Sequence, residues 1–262
     1  MISRYEGVAS CYERRVVHIM RRVAGETSMI AGYAGGERGA GVAARAGSAV
    51  VVVDAFRAST TITVLVQKGA RVVPVASIEE ARTYAGADLR AGERGSAKVA
   101  GFDLGNSPTE VLASDVLAGS TVVLSTTNGT RVVEAAEGAP AILTGAFVNA
   151  SALADELVAG EHSSVMVISC GWEGRRASED EAAAGAILHR LRERGAELDG
   201  RARRAVEAYR SRPLERLRDS SAARRLERLG YERDLDFCLA EDVVPVVPRL
   251  VDGAFVGRDK GD

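Results

Sequence analysis

Four polar clusters in the sequence carry side chains able to bind ions or move protons. The first is D-A-F-R-A-S-T-T, residues 54–61. Asp54 can hold a divalent cation, and Arg57 offers a planar fork for an oxyanion. Ser59, Thr60 and Thr61 add hydroxyls and backbone N–H groups at a helix start, where the dipole favours an anion. Ser59 as a plain N-cap is the alternative. The second cluster is G-E-R-G-S, 92–96, followed by G-F-D-L-G-N-S-P, 101–108. Glu93 and Asp103 are candidate metal ligands or proton-transfer groups; Arg94, Asn106 and Ser107 are candidate anion contacts. The third is S-T-T-N-G-T-R, 125–131, with Thr127, Asn128, Gly129, Thr130 and Arg131. Asn-Gly commonly makes a hairpin, but a helical pattern follows, so a strand-to-helix anion loop fits better. Asn149 opens a similar polar stretch. The fourth is S-C-G-W-E-G, 169–174, then S-E-D-E, 178–181. Glu179 and Asp180 either complement a helix dipole or hold a Mg²⁺ that also touches phosphate oxygens.

Other chemistries are excluded. D-x-D-x-T, the strand-end signature of dehalogenase-type phosphatases, fails because Phe56 stands where the second acid is needed. No G-x-x-x-x-G-K-[ST] is present, so there is no P-loop. Cys11, Cys170 and Cys238 are odd in number and widely spaced, and His18, His162 and His189 have no ligand spacing. Neither zinc nor a disulfide framework is expected.

Reactive groups of this kind must be held by regular elements. Ala49–Val53 is a continuous β-branched run, the mark of a strand buried on both faces, and it ends at Asp54. A helix follows with Ile62, Leu65 and Val66 on one face, stopped at Gly69. Val72–Ala76, Thr121–Leu124, Ala141–Thr144 and Val165–Ser169 read as further strands. Ser77 with Glu80, and Ser178 with Glu181, read as capping boxes. Ser107, Pro108 and Glu110 read as N-cap, N1 and N3 of a short helix. Upstream, Arg15–Met20 is a candidate short strand and Gly32–Gly47 a flexible connector. Downstream, 199–230 is helical, and Val243–Val247 with Phe255 reads as an edge strand because of Pro245 and Pro248. The alternation predicts an α/β fold, a layered sheet of largely parallel strands with flanking helices. Ligands of such sheets sit beyond the carboxyl ends of strands, which is where the polar clusters fall.

The chain has 262 residues and a net charge of −2. Hydrophobic residues make up 46% and charged residues 27%, an ordinary globular balance. Neither nucleic acid nor a membrane is expected as a partner. No apolar run is long enough to span a bilayer or to form a signal peptide, so a cytoplasmic location is expected. Residues 201–228 hold ten arginines against four acids. With Tyr209 alone for stacking, they read as a solvated face or an inter-subunit surface of a homo-oligomer, rather than a nucleic-acid patch.

Taken in order, several motifs resemble the 2-phosphosulfolactate phosphatase family. They are VVVDAFRASTT (51–61), GARVVPVASIEEA (69–81), GERG (92–95), GFDLGNSPTE (101–110), STTNGTR (125–131), GAFVNA (145–150), CGWEG…SEDEAAAG (170–185) and LGYERDLDFCLAEDVVPVVP (229–248). The resemblance covers about 49–256, leaving 1–48 as a lead-in and 257–262 as a tail. Phe56 and Trp172 depart from the family pattern, at positions able to reshape a pocket. The resemblance implies an α/β fold distinct from dehalogenase-like enzymes and a Mg²⁺-dependent phosphatase of coenzyme M biosynthesis. The implied substrate is (2R)-O-phospho-3-sulfolactate, a small anionic phosphoester. Asp54 and Asp180 are then assigned to the metal with Glu179 beside them, and Glu93 or Asp103 to acid–base work. Attack by water activated beside the metal, or by Asp54 itself, are the two routes. Another phosphorylated carboxylic acid as substrate, or a non-catalytic anion-binding role, are the alternatives.

Overall fold

The structure is a computed structural model and describes residues 28–172, 174–211 and 213–258. The candidate strand at 15–20, Cys11 and His18 lie outside the described residues. Among the described residues, eleven strands form one sheet in the order β5-β4-β6-β3-β11-β10-β7-β2-β8-β1-β9. Their ranges are β1 Ile30–Gly35, β2 Ala49–Val53, β3 Arg71–Val75, β4 Leu89–Arg94, β5 Ala97–Lys98 and β6 Thr121–Ser125. There follow β7 Ile142–Thr144, β8 Ser164–Ser169, β9 Glu197–Leu198, β10 Arg249–Val251 and β11 Ala254–Val256.

The valines of β2 explain the layering. Successive side chains of a strand point to opposite faces. Val51 and Val53 enter one core, with Leu153, Leu157, Ile187, Leu188 and Leu191 from the helices Ala150–Ala159 and Ser178–Glu193. Val50 and Val52 enter the other, with Ala40 and Ala43, Ile62, Val64 and Leu65, and Val132 and Val133. These come from the helices Gly36–Arg45, Ala58–Gln67 and Gly129–Ala135. The expected α/β architecture, a largely parallel sheet between helical layers, is the one observed.

Three expectations are corrected. Residues 32–47 are not a connector: they form β1 and the helix Gly36–Arg45, and β1 pairs parallel with β8 from Ile30 to Gly35. Small residues serve close packing there. A Cβ on Gly39 would stand 2.9 Å from that of Ala34, and one on Gly32 would meet Met166 at 2.7 Å. Ser178 is not an N-cap: Ala177 takes that position, so Ser178 is the first helical residue, and Glu181 pairs with Arg176. The C-terminal segment does not form an edge strand. Residues 243–248 lie outside the sheet, and β10–β11 is an antiparallel hairpin at its centre, bonded to β7 on one side and β3 on the other. The prolines at 245 and 248 precede the hairpin rather than mark an edge.

That hairpin divides the sheet into two parallel sets, β4-β6-β3 and β7-β2-β8-β1-β9. Three antiparallel junctions in succession give the sets opposite sense along the sheet. The residues that follow β2, β6 and β8, together with the end of β4, nevertheless line one cleft.

Candidate functional site

Residues from several strand ends line one cleft. Asp54 and Phe56 follow β2; Glu93 closes β4, with Ser96 in its turn; Thr127 and Asn128 follow β6. Trp172 follows β8, and Glu179 and Asp180 occupy the first turn of the helix Ser178–Glu193. Asn106, Arg57, Ala222 and Arg225 complete the lining. An apolar hollow on the other side of Asp54 is walled by Val52, Ile62, Leu124, Val133 and Phe255.

Each acid is fixed differently. Asp54 Oδ1 accepts a bond of 3.3 Å from the Ala58 N–H. Asp180 is buried and accepts from the backbone N–H groups of Ala55 at 2.8 Å and Gly171 at 2.9 Å, tying the ends of β2 and β8 together. Glu93 is buried; Oε1 accepts from the Thr127 N–H at 2.9 Å and hydroxyl at 2.6 Å, and Oε2 from the Ser96 N–H at 2.7 Å. Glu179, also buried, accepts from the Ser178 hydroxyl at 3.2 Å.

The electrostatics of these acids are unbalanced. Desolvation, reinforced by the Glu93 and Glu179 carboxylates, pushes the Asp54 pKa up to about 7. Asp180 is raised as well, first by burial and then by the charges of Asp54 and Glu179. Among the described residues, no three His, Cys, Asp or Glu side chains form a preassembled metal cage.

Arg57 tells a different story. Its guanidinium is 2% exposed, and its fork is spent on protein groups. Nη1 donates to Asp234 Oδ2 at 2.6 Å, Nη2 to the Ser96 carbonyl at 2.6 Å, and the Tyr231 ring lies 4.0 Å beneath it. The expected phosphate fork is instead an internal strut joining the end of β2 to the helix Glu232–Cys238.

Asp54, Glu93, Asn106, Thr127, Asn128, Glu179 and Asp180 are thus brought together; other expected site residues are not. Asp103 is exposed, outside the cleft, and accepts from the Arg90 N–H at 2.7 Å. Arg131 is exposed on its helix, and Arg94 is turned to the Glu93 carbonyl and the Ser125 hydroxyl. The Ser59 hydroxyl donates to the Val52 carbonyl, that of Thr60 to Ala55 and that of Thr130 to Val75. Ser107 caps the helix Pro108–Ala113 and donates to Asp234. Asn149 bonds the Ala146 N–H and the Val246 carbonyl. Gly129 begins its helix beside the apolar hollow. Burial drives these hydroxyls and amides to find partners inside the fold, which removes them from ligand duty. Cys170 and Cys238 are buried, and burial pushes both thiols up, Cys238 to about 12, so neither is an activated nucleophile.

Sequence reasoning missed Ser96, Asp234 and Arg225. Arg225 stacks on Trp172, with its guanidinium carbon 4.0 Å from the ring centroid, while seven arginines of the same helical region (201, 203, 204, 210, 216, 224 and 228) are exposed. Nothing in its local pattern separates it from them. Asn106 Oδ1 is buried in the cleft with no hydrogen-bond partner among the described residues.

A sequence profile described as 2-phosphosulpholactate phosphatase matches residues 40–253. A protein of Synechocystis sp. named probable 2-phosphosulfolactate phosphatase is 38% identical over 213 residues, covering 77% of this chain and 88% of its own length. Proteins of the same printed name from Thermotoga petrophila and Thermotoga maritima are 39% and 40% identical, each covering 80% of this chain and 92% of the relative.

Proposed function

The chain belongs to the 2-phosphosulpholactate phosphatase family, and from that premise we propose a Mg²⁺-dependent hydrolysis of (2R)-O-phospho-3-sulfolactate to 3-sulfolactate and phosphate. The observation that carries the reading is the set of four carboxylates, Asp54, Glu93, Glu179 and Asp180, lining one cleft. Such a set repels a phosphate dianion unless a cation lies between them.

The donor chemistry fits Mg²⁺. All four side chains present hard oxygen atoms, and Mg²⁺ characteristically takes one or two carboxylates and completes its octahedron with water and phosphate oxygens. Asp54 and Asp180, with Glu179 beside them, are the residues that would hold it. When bound, the ion supplies Lewis-acid stabilisation of the phosphoryl charge and a lowered pKa for a neighbouring water.

The chain's own groups do the rest. Asp180 holds the ends of β2 and β8 in register through its two backbone bonds. Glu93 keeps Thr127 in place at the mouth of the β6 loop, so that Asn128 borders the space a phosphoryl group would occupy. Asp54, its pKa pushed up to about 7 by burial and the neighbouring carboxylates, would give up that proton on taking the cation. Asp103 has no part in this chemistry, being outside the cleft. Among the described residues no helix is long and apolar enough to cross a membrane, and the two free thiols fit a reducing cytoplasm.

Phosphate release from 2-phosphosulfolactate with Mg²⁺, and with EDTA in its place, tests the reading. Turnover that EDTA abolishes and Mg²⁺ restores is expected. No release from this or any other small phosphorylated carboxylic acid would overturn it in favour of an anion-binding protein.

A further inference from the structure

The cleft lining carries side chains of both signs. Asp54, Glu93, Glu179 and Asp180 are its acids. Two arginines also line the cleft. One, Arg57, is consumed by Asp234 and the Ser96 carbonyl. The other, Arg225, is half-buried and held from two sides. Trp172 lies against the guanidinium face at 4.0 Å, and Nε donates to Ser96 Oγ at 2.9 Å. Ser96 is itself anchored by Glu93 through its N–H and by Arg57 through its carbonyl. The stack fixes the plane of the guanidinium and the Nε bond fixes its rotation. No acceptor among the described residues is bonded to the two Nη groups. A guanidinium immobilised in this way binds an oxyanion with little further loss of side-chain freedom.

We propose that Arg225, locked against Trp172, is the specificity-determining cation of the cleft and receives the sulfonate of the substrate. The inference rests on the phosphatase reading above. In that substrate the phosphate ester and the carboxylate share one carbon, and the sulfonate is carried on the next. With the phosphoryl group at the cation held by Asp54 and Asp180, the sulfonate is the anion that reaches furthest from it. Among the described residues, Arg225 is the cleft cation not paired with a protein carboxylate. The unpartnered Asn106 Oδ1 is an independent sign that the cleft is shaped for a polar ligand. Turning that amide over would present its N–H₂ to an anion from the same position.

The test compares 2-phosphosulfolactate with 2-phospholactate, which keeps the phosphate and the carboxylate but has a methyl group in place of the sulfomethyl group. In Arg225→Ala the ratio of kcat/KM for the sulfonated over the unsulfonated substrate should fall about 10- to 100-fold, the worth of one charged hydrogen-bonding contact. The loss should lie mainly in KM. Arg225→Lys should fall between wild type and Arg225→Ala, because a point charge replaces the fork. A merely structural role would lower both substrates together and leave the ratio unchanged, and a ratio within twofold of wild type overturns the proposal. Calorimetric binding of 3-sulfolactate against lactate, in Mg²⁺ buffer, reads the same preference without turnover. If wild type cleaves neither phosphoester, the phosphatase reading falls. The proposal for Arg225 is then decided by whether Arg225→Ala loses the preference for 3-sulfolactate.

Discussion

Two sets of buried charge stand side by side in this molecule. One is compensated: Arg57 meets Asp234 at 2.6 Å, both side chains are at most 2% exposed, and the remaining bonding capacity of Asp234 is filled by Ser107 and Thr109. The other is uncompensated: Asp54, Glu93, Glu179 and Asp180 line one cleft, and among the described residues none of them forms an ion pair. A closed, satisfied pair has nothing left to offer a ligand, and its work is to hold the C-terminal helices against the loops that follow β2 and β4. An open set of like charges is a cost to the fold that only a proton or a cation relieves. Burial alone therefore does not separate site from scaffold here; the balance of charge within the buried group does.

The largest expected effect comes from breaking the open set. Asp54→Asn keeps the shape and removes the charge. It should fold, and should lose at least ~100-fold in kcat, the scale of removing a preorganised charge-stabilising group. Steady-state phosphate release checks this, with circular dichroism to confirm folding. Wild-type turnover in a folded variant would show that Asp54 only terminates a strand.

Breaking the closed set should act on stability instead. Arg57→Ala leaves the Asp234 carboxylate buried without its countercharge, a loss of about 3–5 kcal/mol. For a chain of this size that corresponds to a fall in Tm of roughly 10 °C. Arg57→Lys should fall by less, since it keeps the charge but gives up one of the two contacts. Thermal unfolding decides. Intact stability with lost affinity for phosphate would return Arg57 to the ligand-binding role its sequence position suggests.

A smaller effect sharpens the contrast through pH. The folded-state pKa of Asp54, about 7, lies above its unfolded value of about 4. The folded state therefore holds this proton more tightly than the unfolded one. The stabilisation is complete below about pH 4 and is lost as the pH rises through about 7. Without divalent cations, unfolding free energy should decline across that window more steeply in wild type than in Asp54→Asn. Denaturant titrations at a series of pH values measure it, and identical slopes would contradict the raised pKa. The smallest effect is expected outside both sets: Asp103→Asn, on an exposed capping carboxylate, should leave kcat/KM within about twofold, as surface changes away from such networks generally do.

Much of the site was legible because chemistry here sits at strand ends. The β-branched run ending at Asp54, the Ser-Thr-Thr-Asn-Gly stretch after β6 and the acids opening the helix at Ser178 each carry a local signal, and five of the residues so marked do meet. Hydroxyls misled for a physical reason. Ser59, Thr60 and Thr130 look like ligand groups in sequence, but burial commits them to the Val52, Ala55 and Val75 carbonyls. Arg225 and Asp234 were invisible because they come from a distant helical region, one among exposed arginines and the other in an acidic helix turn. The central hairpin was misplaced because proline near a strand suggests an edge, whereas these prolines lie just before it. Small residues in β1 and its helix suggested flexibility where the packing requires closeness.

We propose a divalent cation among the carboxylates around Asp54. Isothermal titration of Mg²⁺ into wild type and Asp54→Asn at pH 8, without substrate, tests it most directly. One Mg²⁺ per wild-type chain is expected, with binding at least about 10-fold weaker in Asp54→Asn, the equivalent of about 1.4 kcal/mol. No binding to wild type, or equal binding to both proteins, would contradict it.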